Sequence, residues 1–409
     1  MEAAERSTAP STFERGARRR RLRAGRSPVA SALVVLATVL LVLAGCSSED
    51  GAAPASGADK VTTSTPEGGS NGAGATPTSM GPSGEGWNKV LAPASCRCSD
   101  GTPFHYWVRA ANPEKVLFFL NGGGACFSAE TCASESATYT VNLEGDDGPG
   151  DEGIFDLDNE ANPLADYSMV VVPYCTGDLH LGTRMNDYGN GVEVHHNGYT
   201  NGSTALAAAA ALFPRATEVV VAGSSAGSAG APAYGGGAHD VWPDADIAVI
   251  ADASAAYPGT PEITLAIGGL WGIEGSIPLW PETADLPLEA WSLPGLFVNA
   301  AKHDPDLRFA TYNNAFDKVQ AGFSAMIGQD AANLVDLIDA NNSWITEQGV
   351  DVRHWVAPGT DHTVLGDNEL YRQKVGGDSL IDWLTAFIAG EPGSDVHCTD
   401  CGQPASPPS

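Results

Sequence analysis

The strongest constraint on the fold is a series of short, continuous, largely β-branched runs separated by stretches that suit helices. KVLFFL at 115–120 is the first clear run, SMVVVP at 168–173 the second and EVVVA at 218–222 the third. AVI at 248–250, LFV at 296–298 and the run at 352–357 continue the series. Runs without polar alternation suit strands buried on both faces, the condition inside a parallel sheet. Between them, alanine-rich 204–212, the small residues after Ser225 and an amphipathic stretch at 379–388 read as helices. Strands alternating with helices predict an α/β fold, a mostly parallel central sheet with helices on both faces. There is no internal repeat.

The segment before these runs follows other rules. Seven arginines between Arg15 and Arg26 precede an apolar run at 29–43, which ends in Leu43-Ala44-Gly45-Cys46. A basic region, a short apolar region and small residues make a secretory signal. The cysteine after Leu-Ala-Gly resembles a bacterial lipobox, so residues 1–45 are expected to be removed and Cys46 to carry a lipid. The run is too short for a membrane span. Residues 46–85 are rich in Ser, Gly, Ala, Thr and Pro and are expected to form a flexible tether. The folded domain is expected over 86–401, with a loose tail at 402–409. The full chain carries a formal charge of −29. Losing residues 1–45, with eight arginines and three acids, leaves about −34. That balance argues against nucleic acid as a partner. An exported compartment permits disulfides. Cys126 and Cys132 are close enough in sequence to close a small loop. Cys96-Arg97-Cys98 and the single Cys-x-x-Cys at Cys398 and Cys401 do not make a zinc-ribbon spacing.

In an open parallel sheet, chemistry collects at the carboxyl ends of the strands. Three segments occupy such positions: Asn121 to Cys126, the turn Gly223-Ser224-Ser225-Ala226-Gly227, and Pro358 to Thr363. Ser225 lies between a β-branched strand and a small-residue helix, the context a nucleophile elbow requires. The glycines at 122–124 let backbone N–H groups approach a substrate closely. Gly124, Ala125 and Ala226 are the expected donors of an oxyanion hole. A serine hydroxyl needs a base, and His362 follows the last strand, where an α/β-hydrolase-like fold places it. His354 lies within that strand and reads as structural, and His397 falls in the tail. His195 and His196 precede the serine and are expected to satisfy local hydrogen bonds. For the orienting acid, Asp304, Asp306 and Asp317 compete. Asp304 follows the strand expected near Phe297, whereas Asp317 follows if 308–313 is the strand instead.

FFLNGGGACFS at 118–128, Pro173-Tyr174-Cys175 and Gly223-Ser224-Ser225-Ala226-Gly227 resemble the pectin acetylesterase and Notum family of serine carboxylesterases, bacterial members above all. The likeness runs from about Cys98 to about Trp383. It implies Asp317 as the acid, because Ala315-Phe316-Asp317-Lys318-Val319-Gln320 matches the family pattern and Asp304 does not. It also implies Cys126–Cys132 and Cys98–Cys175 disulfides, leaving Cys96, Cys398 and Cys401 unassigned. Family members often carry tryptophan after the triple glycine, where this chain has Ala125. Plant members act on acetylated pectin, an anionic polymer that a strongly acidic chain would repel.

These readings converge on a lipid-anchored, extracytoplasmic serine ester hydrolase that needs no metal or organic cofactor. Acetyl esters of a small molecule or glycan are the first expectation, on family grounds. A long-chain lipid deacylase is the alternative within the enzyme class. A surface binding protein on a hydrolase fold is the alternative outside it.

Overall fold

The computed structural model describes residues 86–402 except Ser136 and Asp400. The leader, Cys46, the tether and residues 403–409 lie outside the described residues. In chain order the early strands are β1 (Asn88–Leu91), β2 (His105–Arg109), β3 (Asn112–Leu120) and β4 (Tyr167–Val172). A hairpin of β5 (Arg184–Asp187) and β6 (Glu193–His196) follows. Then come β7 (Glu218–Ser224), β8 (Asp246–Asp252), β9 (Arg308–Asn314) and β10 (Val352–Ala357). The last pieces are a small pair, β11 (Lys374–Val375) with β12 (Asp378–Ser379), and β13 (Val396–His397). Helices are α1 (Ala129–Cys132), α2 (Gly198–Leu212), α3 (Ala226–Val241) and α4 (Pro261–Trp271). The others are α5 (Leu293–His303), α6 (Lys318–Met326), α7 (Leu334–Glu347) and α8 (Leu380–Ile388).

Nine strands form one sheet in the order β1-β2-β4-β3-β7-β8-β9-β10-β13. The pairs β1–β2 and β2–β4 are antiparallel, and every later pair is parallel. The alternation of side chains along β3 explains how the sheet is buried on both faces. Val116, Phe118 and Leu120 enter one core with residues of α2, α3 and α5, while Leu117 and Phe119 enter the other with residues of α8. The 116–120 part of β3 therefore has no polar face, and its run reads as continuous.

Two expectations fail. Leu296, Phe297 and Val298 lie inside α5, not in a strand. A three-residue apolar run cannot distinguish strand from buried helix. The local signals favour helix: the Ser292 hydroxyl caps it by accepting from Gly295 N–H, and Pro294 sits in its first turn. The strand is β9, whose Thr311, Asn313 and Asn314 look exposed in sequence yet are buried. The tail assigned to His397 is an ordered edge strand, pairing parallel with β10, and Cys398 N–H bonds to Val356 O.

Disulfides join Cys98 to Cys175, Cys126 to Cys132 and Cys398 to Cys401, and Cys96 is a buried free thiol. The Cys98–Cys175 bridge closes 77 residues of chain and ties the N-terminal strands to the end of β4. A loop of that length corresponds to about 4 kcal/mol in the chain-entropy treatment.

Candidate active site

Ser225 occupies the sharp bend between β7 and α3, with φ 54° and ψ −120°. A non-glycine residue there carries strain on the order of 1–3 kcal/mol. The neighbours must be small for the bend to close. A Cβ on Gly227 would lie 2.0 Å from the carbonyl oxygen of Leu120, and one on Gly223 would lie 2.4 Å from the carbonyl of Gly227. The two motif glycines thus let α3 start directly against the end of β3. Ser225 N–H donates to the Asp252 carbonyl at 2.8 Å.

The glycine loop after β3 is shaped by the same crowding. A Cβ on Gly122 would sit 2.8 Å from the Ser225 Cβ. Gly124 has φ 79°, and a Cβ there would sit 2.0 Å from the Thr138 carbonyl oxygen. Several bonds hold the loop. Thr140 N–H donates to Gly123 O, the Thr138 hydroxyl to Ala125 O, and His180 Nε2–H to Asn121 O. Gly124, Ala125, Ser225 and Ala226 all line one pocket, so the expected nucleophile and the expected amide donors share a cavity.

Asp317 and His362 meet, with Asp317 Oδ2 accepting from His362 Nδ1 at 2.6 Å. Asp317 is fully buried at the N-terminus of α6. Its Oδ1 accepts the N–H groups of Val319 and Gln320, and Oδ2 also accepts from Gln320 Nε2. The helix end stabilises the negative charge, and the donors fix its orientation. With Nδ1 donating, the free lone pair of neutral His362 is on Nε2, which is buried and has no partner among the described residues. Asp304 lies elsewhere, at the C-terminus of α5, facing His239 Nδ1 at 3.1 Å.

Several other histidines find local partners, whereas the His195 ring makes no hydrogen bond among the described residues and only its backbone N–H donates, to Ser99 O. His196 donates from Nδ1 to Thr176 O and accepts the Tyr188 hydroxyl at Nε2. His354 contacts the Thr311 hydroxyl, and His397 contacts Asp339. His303 stacks on Trp280 and contacts Asp240 and Glu282. Burial pushes His180, His196 and His354 down to about 4. It raises the Asp178 carboxyl to about 6, against the hydrogen bonds from Thr176, Gly198 and His180. Two groupings have ligand-like residues, Cys126/Cys132/His196 and His397/Cys398/Cys401. The cysteines of each are joined in a disulfide and offer no thiolate.

Ser225 lines a half-open pocket with a cavity volume of about 110 Å³. Leu179, Ile267, Trp271, Trp291, Phe323 and Ile327 supply much of its wall. Ala125 lies in the same apolar cluster as Trp271, whose indole N–H donates to Cys126 O. Tryptophan therefore reaches this wall from α4, although position 125 has none.

Asp252, at the end of β8, was missed in the sequence. It is fully buried and holds the Ser224 hydroxyl and the N–H groups of Val364 and Leu365. The available signal was an acid ending an apolar strand immediately after the nucleophile unit.

Known proteins similar to this chain bear on its family and its fold. Residues 89–256 match the pectinacetylesterase family. A Danio rerio protein named inactive palmitoleoyl-protein carboxylesterase notum1b is 32% identical over 100 residues, 23% of this chain and 72% of its own length. The chain belongs to the pectinacetylesterase and Notum family. The palmitoleoyl-protein carboxylesterase NOTUM of Schmidtea mediterranea is 30% identical over 141 residues, covering 33% of this chain and 27% of the relative. The Homo sapiens protein of that name is 32% identical over 108 residues, 24% of this chain and 22% of the relative. The matches thus span about a quarter of those two proteins. The crystal structure of the Wnt deacylase Notum from Drosophila superposes with a TM-score of 0.54 at 19% identity, over 76% of this chain and 95% of that one. That likeness establishes the shared α/β-hydrolase-like fold.

Proposed function

We propose that this protein is a serine carboxylesterase whose preferred esters carry an extended apolar acyl chain. Family membership alone does not carry the reading, because one relative is itself named inactive. What carries it is Ser225, held in a strained bend at an apolar pocket, together with the Asp317–His362 pair.

The Ser225 hydroxyl attacks the ester carbonyl while His362 Nε2 takes its proton, and Asp317 orients and stabilises the imidazolium. Amides of Gly124, Ala125 and Ala226 receive the oxyanion. Collapse expels the alcohol, which takes the proton from His362. Water, deprotonated by the same imidazole, then releases the acid and restores Ser225.

The pocket favours a longer chain over the acetyl group expected from family grounds. Each methylene moved out of water contributes about 0.8 kcal/mol, so a two-carbon acyl group leaves most of this wall unused. An extracytoplasmic location with a lipid at Cys46 is part of the proposal, supported by the leader sequence and by three disulfides.

A series of nitrophenyl esters from acetyl to palmitoyl tests the acyl preference. kcat/KM is expected to rise about fourfold per methylene until the pocket is filled. A maximum at acetyl overturns that preference. Ser225→Ala should abolish turnover and fluorophosphonate labelling, and a wild-type protein that neither labels nor turns over sinks the esterase reading.

A further inference from the structure

The end of β8 joins two parts of the site that are far apart in sequence. Asp252 pairs with no basic side chain among the described residues and is fully buried. Its backbone carbonyl accepts the N–H of Ser225 at 2.8 Å. Its Oδ2 accepts the Ser224 hydroxyl at 2.8 Å and the N–H groups of Val364 and Leu365 at 2.9 Å each. The Val364 N–H also lies 3.2 Å from Oδ1. Burial raises the carboxyl's pKa, and these donors oppose the shift.

The geometry on either side is strained. Ala253, the next residue, has φ 72°, and Thr363, the residue after His362, has φ 66°. Non-glycine residues in this region persist only where their surroundings over-determine them. Here the surroundings are identifiable: Ala253 N–H is tied to Tyr312 O, and the chain after Thr363 is tied to the Asp252 carboxylate.

We infer that Asp252 is a positioning residue that sets the reach between the Ser225 hydroxyl and His362 Nε2. It touches neither reacting atom, and the acid in contact with the imidazole is Asp317. Asp252 acts on the main chain beside each partner, fixing the nucleophile's turn through its carbonyl and the base's turn through its carboxylate. One carboxylate oxygen accepts all three donors, which an apolar side chain cannot do. Asparagine keeps one acceptor but sets an N–H group near the N–H of Val364.

This inference rests on the esterase reading, so the test includes a control that separates the two. Full-length wild type, Ser224→Ala, Asp252→Asn and Asp252→Ala are compared with nitrophenyl octanoate and a fluorophosphonate, with kcat normalised to folded protein. Misplacing a reacting group by about 1 Å costs about 10²-fold, the loss expected in kcat for Asp252→Ala with KM within about twofold. Asp252→Asn is expected to lose about tenfold and Ser224→Ala about threefold, one hydrogen bond. The fluorophosphonate rate should fall in parallel with kcat, because it depends on the same serine–histidine couple. If Asp252→Ala does not fold, the two milder variants decide the matter. Unchanged kcat in both, or a loss confined to KM, overturns the inference while wild-type activity stands. An inert wild type overturns the esterase reading beneath it.

Discussion

At the carboxyl edge of β3, β7 and β8, main chains approach with almost no side chain between them. Gly227 lies against Leu120, Gly122 against Ser225, and Asp252 bonds directly to backbone amides. Across the pocket, residues 257–293 and α6 do the reverse. There Trp271, Trp291 and Phe323 fill space with rings carried on short helices and turns. The contrast teaches that Ser225 and its neighbouring loops are placed by backbone contacts, which admit little change, whereas the pocket wall is built of side chains, which admit a great deal. The match to the pectinacetylesterase family ends at Ala256, one residue before Tyr257 joins the pocket wall.

Single-residue changes on the two sides can break or sharpen that contrast. The largest stability loss is expected from Gly227→Ala, whose new methyl would press on a backbone carbonyl that cannot turn aside. Urea unfolding should show a destabilisation of about 3 kcal/mol or more. A loss under about 1 kcal/mol would mean that the edge is more compliant than described.

Acid comes next, because the buried histidines all lie outside the wall, where Tyr257 alone titrates among the lining residues and burial raises it far above the acid range. His180, His196 and His354 are depressed to about 4 when folded, so below their unfolded pKa the unfolded chain binds more protons. Their contribution is present above that unfolded value and is lost as pH falls toward 4, about 3 kcal/mol for each. Asp178, raised to about 6, has the opposite sign and gains stability over the same descent. Three groups against two, since burial also raises Asp252, leave a net loss, read as a falling denaturation midpoint between pH 6.5 and 4. A flat profile would contradict the burial of these imidazoles.

A smaller and more selective effect is expected from Ile267→Trp on the α4 wall. Filling part of the pocket should lower kcat/KM for octanoyl esters about tenfold while leaving acetyl esters within about twofold. Equal losses on both would place the change at the reacting centre instead. Smallest of all is Gly269→Ala, also in α4, where a methyl meets nothing within 4 Å. Helix propensity predicts a gain of about 0.5–1 kcal/mol, the reverse of Gly227→Ala.

The same division governs what the sequence made legible. β3, β4, β7, β8 and β10 announce themselves as apolar runs because both faces are buried. β9 hides, since Thr311 and Asn313 are paid for by partners that no local pattern records, among them His354, Ala255 and Gln320. Ser225 and the glycine loop are readable because crowding dictates residue type at fixed spacing. Asp317 required the family resemblance, since its partner His362 lies 45 positions away. Asp252 was invisible for the same reason, its amide partners lying 112 and 113 residues downstream. The pocket wall has neither periodicity nor glycine signature, and its side chains converge only in three dimensions.

The outermost strands carry a consequence of their own. A wide sheet finishing in four residues at β1 and two at β13 exposes few unpaired amides on which another copy of the chain can build. Lys89 on the first edge adds charge there, and the Cys398–Cys401 link closes a tight loop just beyond the second. Both borders therefore resist fibrillar self-association, a safeguard for a molecule whose parallel interior would otherwise make an extended template.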